Sequence, residues 1–205
     1  MEENKYILDL IIEGNAVREN MVDLLEILPV LNKLNYDTDE ECHIHSILYH
    51  TIFAVESLGV NAPIYLKLAT LFHDIGKVNT RVDGKNGTSY YHGHHIESAK
   101  IAKKELLNMG YENDIVTKVT TLIENHEKSW DDKPTRKQLT KFIKKLEEGG
   151  VTFEEYYVMK VADLSAKNPS MILKYIEELS NLLDFYKSTK LDKLDLEEMH
   201  DRLED

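Results

Sequence analysis

Hydrophobic residues recur along most of this chain at the three-to-four-residue spacing of a helix with one buried face, and the strict alternation of a half-buried strand is almost absent. An all-α fold is expected. Tyr6 to Glu13 reads as a short helix, and Asn15 is placed to cap a second one carrying Val17, Met21, Leu24, Leu25 and Leu28 before Pro29. Glu41 to Leu58 follows, closed by Gly59. From Ala62, the positions Ile64, Leu68, Leu71, Phe72 and Ile75 mark a buried helix with Pro63 in its first turn and Gly76 at its end. Lys77 to Tyr91 contains Asp83-Gly84-Lys85-Asn86-Gly87, turn chemistry that predicts a surface loop. The helical period resumes over Ile96 to Met109, which Gly110 stops. It continues over Asn113 to His126, Thr135 to Leu146, Thr152 to Ala166, Pro169 to Tyr186 and Leu191 to Leu203.

No linker of domain-separating length interrupts the series. One helical domain over 1–205 is expected, with a motif-bearing core over about 22–169 and peripheral, acidic helices over 170–205. A chain this long buries roughly 70% of its unfolded surface, so it needs no disulfide. The single cysteine, Cys42, has no partner in the chain, and no disulfide-linked partner is expected. Asp9 and Glu13 break the first apolar run before it could serve as an export signal, and no 18 apolar residues run together. A cytoplasmic protein that does not span a membrane is the expectation. Charge sharpens this: 25 Lys and Arg against 37 Asp and Glu leave −12, a poor field for coating a nucleic acid by charge alone.

The chemistry concentrates in Leu71-Phe72-His73-Asp74-Ile75-Gly76-Lys77. Its apolar residues place the helix in the interior, yet its last turn carries an imidazole and a carboxylate, and buried polar groups require partners. A metal ion would supply one. Successive helical positions diverge by about 100°, so His73 and Asp74 meet one ion only if the helix end points at the site or if Asp74 reaches between two ions. His50 lies 23 residues before His73, His94 lies 20 after Asp74, His126 lies 32 further on, and Asp163 another 37. Each falls within or at the end of a different predicted helix. Gathered in a bundle, they form an imidazole and carboxylate set without thiolates, suited to one or two divalent ions of manganese, nickel, cobalt, zinc or iron rather than calcium. Taken singly, His50 or His126 reads as an ordinary helix histidine and Asp163 as a solvated carboxylate. Lys77 reads equally as a surface lysine and as a phosphate contact. Only the ordered set raises them.

The stretches Tyr49-His50-Thr51, His73-Asp74-Ile75-Gly76-Lys77, His92-Gly93-His94, Glu124-Asn125-His126-Glu127 and Val161-Ala162-Asp163-Leu164-Ser165-Ala166 resemble, in order, the motifs of the HD superfamily of metal-dependent phosphohydrolases. The likeness is closest to the HD domain attached to bacterial tRNA nucleotidyltransferases, with Leu24-Leu25-Glu26-Ile27-Leu28-Pro29 as its entry segment, and it spans about Val22 to Pro169. The nucleotidyltransferase head has no counterpart before residue 22. The resemblance implies a helical bundle around a central metal site: His50, His73, Asp74 and Asp163 holding a first ion, and Asp74 bridging to a second held by His94 and His126. It implies hydrolysis of a nucleotide or RNA-end phosphate by metal-activated water, with Asp74 and Lys77 in the catalytic roles. Two divalent ions would bring +4 against −2 from the aspartates, a cationic pocket in an acidic protein. The family's acidic residue after its third histidine, and its glycine four places on, are replaced here by His95 and Ser98, so His95 competes as a ligand for the second ion. His92 and His95 could serve as acid or as indirect partners of a ligand. Tyr90 and Tyr91, in the Val78–Tyr91 loop, could cover a base. The basic cluster Arg136, Lys137, Lys141, Lys144 and Lys145 could receive RNA, or be a solvated helix face. Two alternatives follow from the same residues: a di-iron oxygenase, or a non-catalytic nucleotide- or RNA-binding partner of a nucleotidyltransferase.

Overall fold

The computed structural model describes residues 2–36, 46–84, 89–130 and 134–204, with the side chains of 170, 171, 174 and 191–204 left aside. Ten α-helices are seen among these residues: α1 (Glu2–Glu13), α2 (Met21–Ile27), α3 (Ile47–Ser57), α4 (Ile64–Phe72), α5 (Lys77–Thr80), α6 (His94–Met109), α7 (Asn113–Asn125), α8 (Arg136–Glu148), α9 (Phe153–Ser165) and α10 (Pro169–Glu204). A 3-10 helix, Pro29–Leu34, follows α2, and a two-stranded antiparallel ribbon, β1 (Val82–Asp83) and β2 (Ser89–Tyr90), precedes α6. The fold is all-α. No helix of the described residues is long and apolar enough to cross a membrane.

The central element is α4. Leu66 to Phe72 is buried on every side, because the segment carries apolar residues around its circumference rather than on one stripe. It packs against α3, α6, α7, α9 and α1. Leu68, Leu71 and Phe72 have no exposed surface, and each such side chain stabilises the fold by about 1.5–3 kcal/mol through area removed from water. The polar exception is Lys67, also fully buried. Its Nζ donates to the carbonyl oxygens of Ile12 at 2.9 Å, Val60 at 3.3 Å and Glu13 at 3.4 Å, so an ammonium ties the end of α1 to the turn that precedes α4.

Helix ends follow local chemistry. Thr135 with Gln138 and Thr152 with Glu155 form complete capping boxes at α8 and α9. Ser46 caps α3, so the helix expected from Glu41 starts at Ile47; 41–45, with Cys42, lie outside the described residues. Asn15 does not cap a helix. It adopts a left-handed backbone (φ 55°), which Asn tolerates better than most residues, and its Nδ2 donates to the Glu56 carbonyl at 2.9 Å. Pro63 stands at the N-cap of α4 rather than inside its first turn.

Two expectations need larger correction. Lys77 to Tyr91 is not a plain loop: Lys77–Thr80 forms one helical turn, and the ribbon aligns Val82 with Tyr90 and Asp83 with Ser89. Elements of four and two residues are too short to leave a period. The helices expected over Pro169 to Tyr186 and Leu191 to Leu203 are one continuous helix, since no glycine or proline interrupts the chain between them. Tyr186 fastens α10 to α9 by stacking on Phe153 at 4.1 Å and donating to Glu154 at 2.7 Å.

Candidate metal centre

Five helix segments bring six polar residues to one buried point. His50 comes from the first half of α3, His73 and Asp74 from the turn that ends α4, His94 from the first position of α6, His126 from the end of α7, and Asp163 from the last turn of α9. All six are buried. His73 and Asp74 share the site because the helix has already ended: His73 is the C-cap residue, and the turn aims the neighbouring side chains at one place.

Gly76 makes that turn compatible with α6. Its φ is −71°, so no left-handed backbone is required. What is required is space: a Cβ there would lie 2.4 Å from the His94 carbonyl oxygen and 2.5 Å from the Ser98 nitrogen. The Gly76 N–H donates to Ser98 Oγ at 2.8 Å, which gives the serine standing in place of the family's glycine a defined task. At the start of α6, Gly93 holds a positive φ of 75° and turns the chain from the ribbon into the helix.

Each histidine is oriented by a backbone carbonyl. Nδ1 of His73 lies 2.7 Å from the Thr70 oxygen, Nδ1 of His126 2.7 Å from that of Ile123, Nδ1 of His94 3.0 Å from that of Tyr91, and Nδ1 of His50 3.1 Å from that of Ala166. A carbonyl only accepts, so Nδ1 carries a proton in all four rings, and all four Nε2 atoms turn inward, where a proton or a metal ion can occupy them. The Asp74 carboxylate stands between two pairs. Its Oδ2 is 3.3 Å from His73 Nε2 and 3.9 Å from His50 Nε2; its Oδ1 is 3.1 Å from His94 Nε2 and 3.8 Å from His126 Nε2. Asp163 Oδ1 joins the first pair, 3.0 Å from His50 and 3.4 Å from His73.

This donor set fits a cation. Nε2 of His94 and Nε2 of His126 face each other at 3.2 Å, and two neutral acceptors at that distance repel unless something positive lies between them. Nε2 of His73 is fully buried and has no aligned hydrogen bond, although two carboxylates adjoin it. Two groups of potential ligand atoms lie within 4.8 Å of one another: His50, His73 and Asp74, and Asp74, His94 and His126.

The electrostatics separate the two sides. For His73, burial acts downward, but the adjoining carboxylates of Asp74 and Asp163 prevail and lift the imidazole to about 10. For His126, burial outweighs the pull of Asp74 and drops the ring to about 4. Asp74 resists burial through His73 and Lys77 and stays well below the usual carboxylate range. Asp163 does so through Lys167, His50 and His73.

A cleft of about 700 Å³ opens onto four of the six residues, Asp74, His94, His126 and Asp163, while His50 and His73 are outside its lining. Lys77 lines it, with Nζ 3.0 Å from Asp74 Oδ2 and 5.4 Å from the centre of the Tyr91 ring. Tyr91 is buried, Tyr90 is half exposed, and His92 stacks on Tyr90 at 5.9 Å. His95 is not among the inward-facing ligands: its Nδ1 meets Glu127 Oε2 at 2.5 Å, while Glu127 Oε1 stands 3.2 Å from His94 Nδ1. The basic cluster lies on the outward face of α8 and lines no part of this cleft.

The sequence reading missed Lys160 and Lys167. Lys160 Nζ donates to the His126 carbonyl at 2.9 Å, and Lys167 Nζ pairs with Asp163 at 2.9 Å; both line the cleft with Lys77. Their spacing of three and four residues about Asp163 was the available signal.

Comparison with known proteins matches residues 42–167, more than half of the chain, to the family described as HD domain. A stretch of 85 residues is 33% identical to the CC-adding tRNA nucleotidyltransferase of Thermus thermophilus, covering 41% of this chain and 19% of that protein. The chain thus aligns with about a fifth of the length of that relative.

Proposed function

This chain belongs to the HD domain family, and from that premise we propose that it is a metal-dependent phosphohydrolase acting on a nucleotide or RNA-end phosphate. The observation that carries the proposal is the Asp74 carboxylate divided between two histidine pairs, with one oxygen toward each. In this reading His50, His73, Asp74 and Asp163 hold one divalent ion, and Asp74, His94 and His126 a second; manganese, iron, cobalt, nickel and zinc all suit the set. Ions bound there supply water of lowered pKa and stabilise charge on a transferred phosphoryl group.

The protein's own groups do the rest. Asp74 holds both sides in register. Lys77, Lys160 and Lys167 offset the carboxylates of Asp74, Glu127, Asp163 and Glu178 in the cleft, so that divalent ions held there would make it cationic, and they can meet phosphate oxygens as point charges. Carbonyl partners keep every Nε2 atom aimed inward, so the rings need not turn at the moment of binding.

The test is a phosphatase screen of nucleotides, cyclic nucleotides and RNA ends with manganese, nickel, cobalt and magnesium, alongside metal analysis. The double variant His73→Ala/Asp74→Ala should lose metal and turnover together; unchanged turnover would falsify the proposal. Near two irons per chain with oxygen uptake would point to a di-iron oxygenase instead. The printed name of the Thermus relative favours one further reading, a tRNA-binding module. Tight tRNA binding without hydrolysis of any ester would support that one.

A further inference from the structure

The cleft over the metal ligands has a neighbour along α10. A second chamber of about 690 Å³ runs along α10, and the two share Tyr175 and Glu178 in their walls. Tyr175, Glu178, Leu182 and Phe185 lie on one stripe of α10, so this wall runs straight for about 15 Å at the helical rise. Trp130 forms the opposite wall. It is fixed there by its backbone N–H on Glu178 Oε1 at 2.9 Å, its indole N–H on Tyr156 at 3.3 Å, and the Phe142 ring edge-on at 5.2 Å.

Chemistry changes along this path. The inner end carries the ammonium groups of Lys77, Lys160 and Lys167 beside the carboxylates of Asp74, Glu127, Asp163 and Glu178, and would be cationic with divalent ions at the ligands. The outer chamber has no lysine or arginine among the described residues lining it; Glu177, Glu178 and Asp184 stand there with the Trp130 and Phe185 rings and the Asn181 amide. Lys128 covers the Trp130 ring at 4.7 Å without being part of the lining.

We infer that the outer chamber is the leaving-group site of the hydrolase, and that it selects single-phosphate esters of ring-bearing alcohols, such as nucleoside monophosphates, over polyphosphates and RNA ends. The inference rests on the phosphohydrolase reading. A phosphate held at the cationic end directs the rest of its ester past Tyr175 and Glu178. There aromatic faces suit a planar ring, and carboxylates and an amide suit the donors of sugar hydroxyls and base amino groups. A second phosphate, or the next phosphate of a polynucleotide, meets Glu178, Glu177 or Asp184 instead, and like charges along the groove disfavour it. The basic cluster that could have steered RNA is solvent-exposed on α8 and is not part of the chamber's lining.

The test compares kcat/KM of the manganese-loaded full chain on para-nitrophenyl phosphate, AMP, ATP and a 5′-phosphorylated RNA hexamer. Preference for AMP over ATP and over the hexamer by about tenfold or more is expected. Glu177→Lys/Asp184→Lys should collapse that preference, and Phe185→Ala should raise KM for AMP more than for para-nitrophenyl phosphate, which is too short to reach the ring. If para-nitrophenyl phosphate is hydrolysed but ATP or RNA serves as well as AMP, or the charge reversal leaves the ratio unmoved, the inference is overturned and the hydrolase reading stands. If no ester is turned over with any metal, the hydrolase reading falls, and calorimetric titration with AMP and ATP decides the chamber: tighter AMP supports its selectivity, equal or tighter ATP overturns it.

Discussion

On one side of Asp74, His50 and His73 share a second carboxylate, Asp163; on the other, His94 and His126 have none and face each other across 3.2 Å. The first side carries more negative charge, which holds a proton on His73 up to about 10, while His126 on the second side sheds its proton down to about 4. A cation bound there would replace that proton on the first side and fill a repulsive gap on the second. The difference teaches that the two sides are unequal by construction: the first would attract a divalent ion through charge, the second through two preset lone pairs and a borrowed carboxylate oxygen.

The largest expected effect comes from removing what the two sides share. Asp74→Ala should abolish metal retention on both and reduce phosphatase turnover to background; one full equivalent of metal left after dialysis, by elemental analysis, would break the comparison. Next, the sides should fail separately. Asp163→Asn is expected to weaken the first and stronger ion, whereas His126→Gln should leave a protein that still holds one ion per chain, with calorimetric stoichiometry telling them apart.

The metal-free protein gives a pH signature of the same inequality. His126 has a folded pKa below its unfolded value, so its contribution is present above about 6.5 and is lost as pH falls toward about 4. His73 has the opposite sign: its contribution is complete below about 6.5 and is lost as pH rises toward about 10. Denaturation midpoints followed from pH 4 to pH 10 should drop at both ends, and saturating metal should flatten the alkaline limb; midpoints that climb steadily through pH 10 contradict the assignment. The smallest effect belongs to Glu127→Gln. Its half-exposed carboxylate touches only His94 of the six, so second-ion affinity should fall by about tenfold at most, with first-ion affinity unchanged.

Much of this was legible in the chain. The long helices declared themselves through their period, and the ordered histidines and aspartates marked the residues that the fold brings together. What stayed hidden lacked either length or an unambiguous environment. A four-residue helix and a two-residue ribbon leave no period. Lys160 and Lys167 look like solvated partners of an aspartate until α10 is seen to lie over them. Lys67 breaks an apolar run in sequence, yet in the fold it is fully buried, because three carbonyl oxygens replace the water it gives up. The chamber along α10 belongs to no motif, since its walls come from segments separated by some fifty residues of chain.

The bare α-carbon at position 76 has an uncomfortable corollary for genetics. Adding one methyl there wedges apart the turn bearing His73 and Asp74 and the helix bearing His94, while every coordinating side chain keeps its identity. A lesion of that kind would score as a null allele in a screen and pass unnoticed by anyone inspecting only the ligands. The gauge of the two-sided centre is thus inherited through a residue that touches no ion at all.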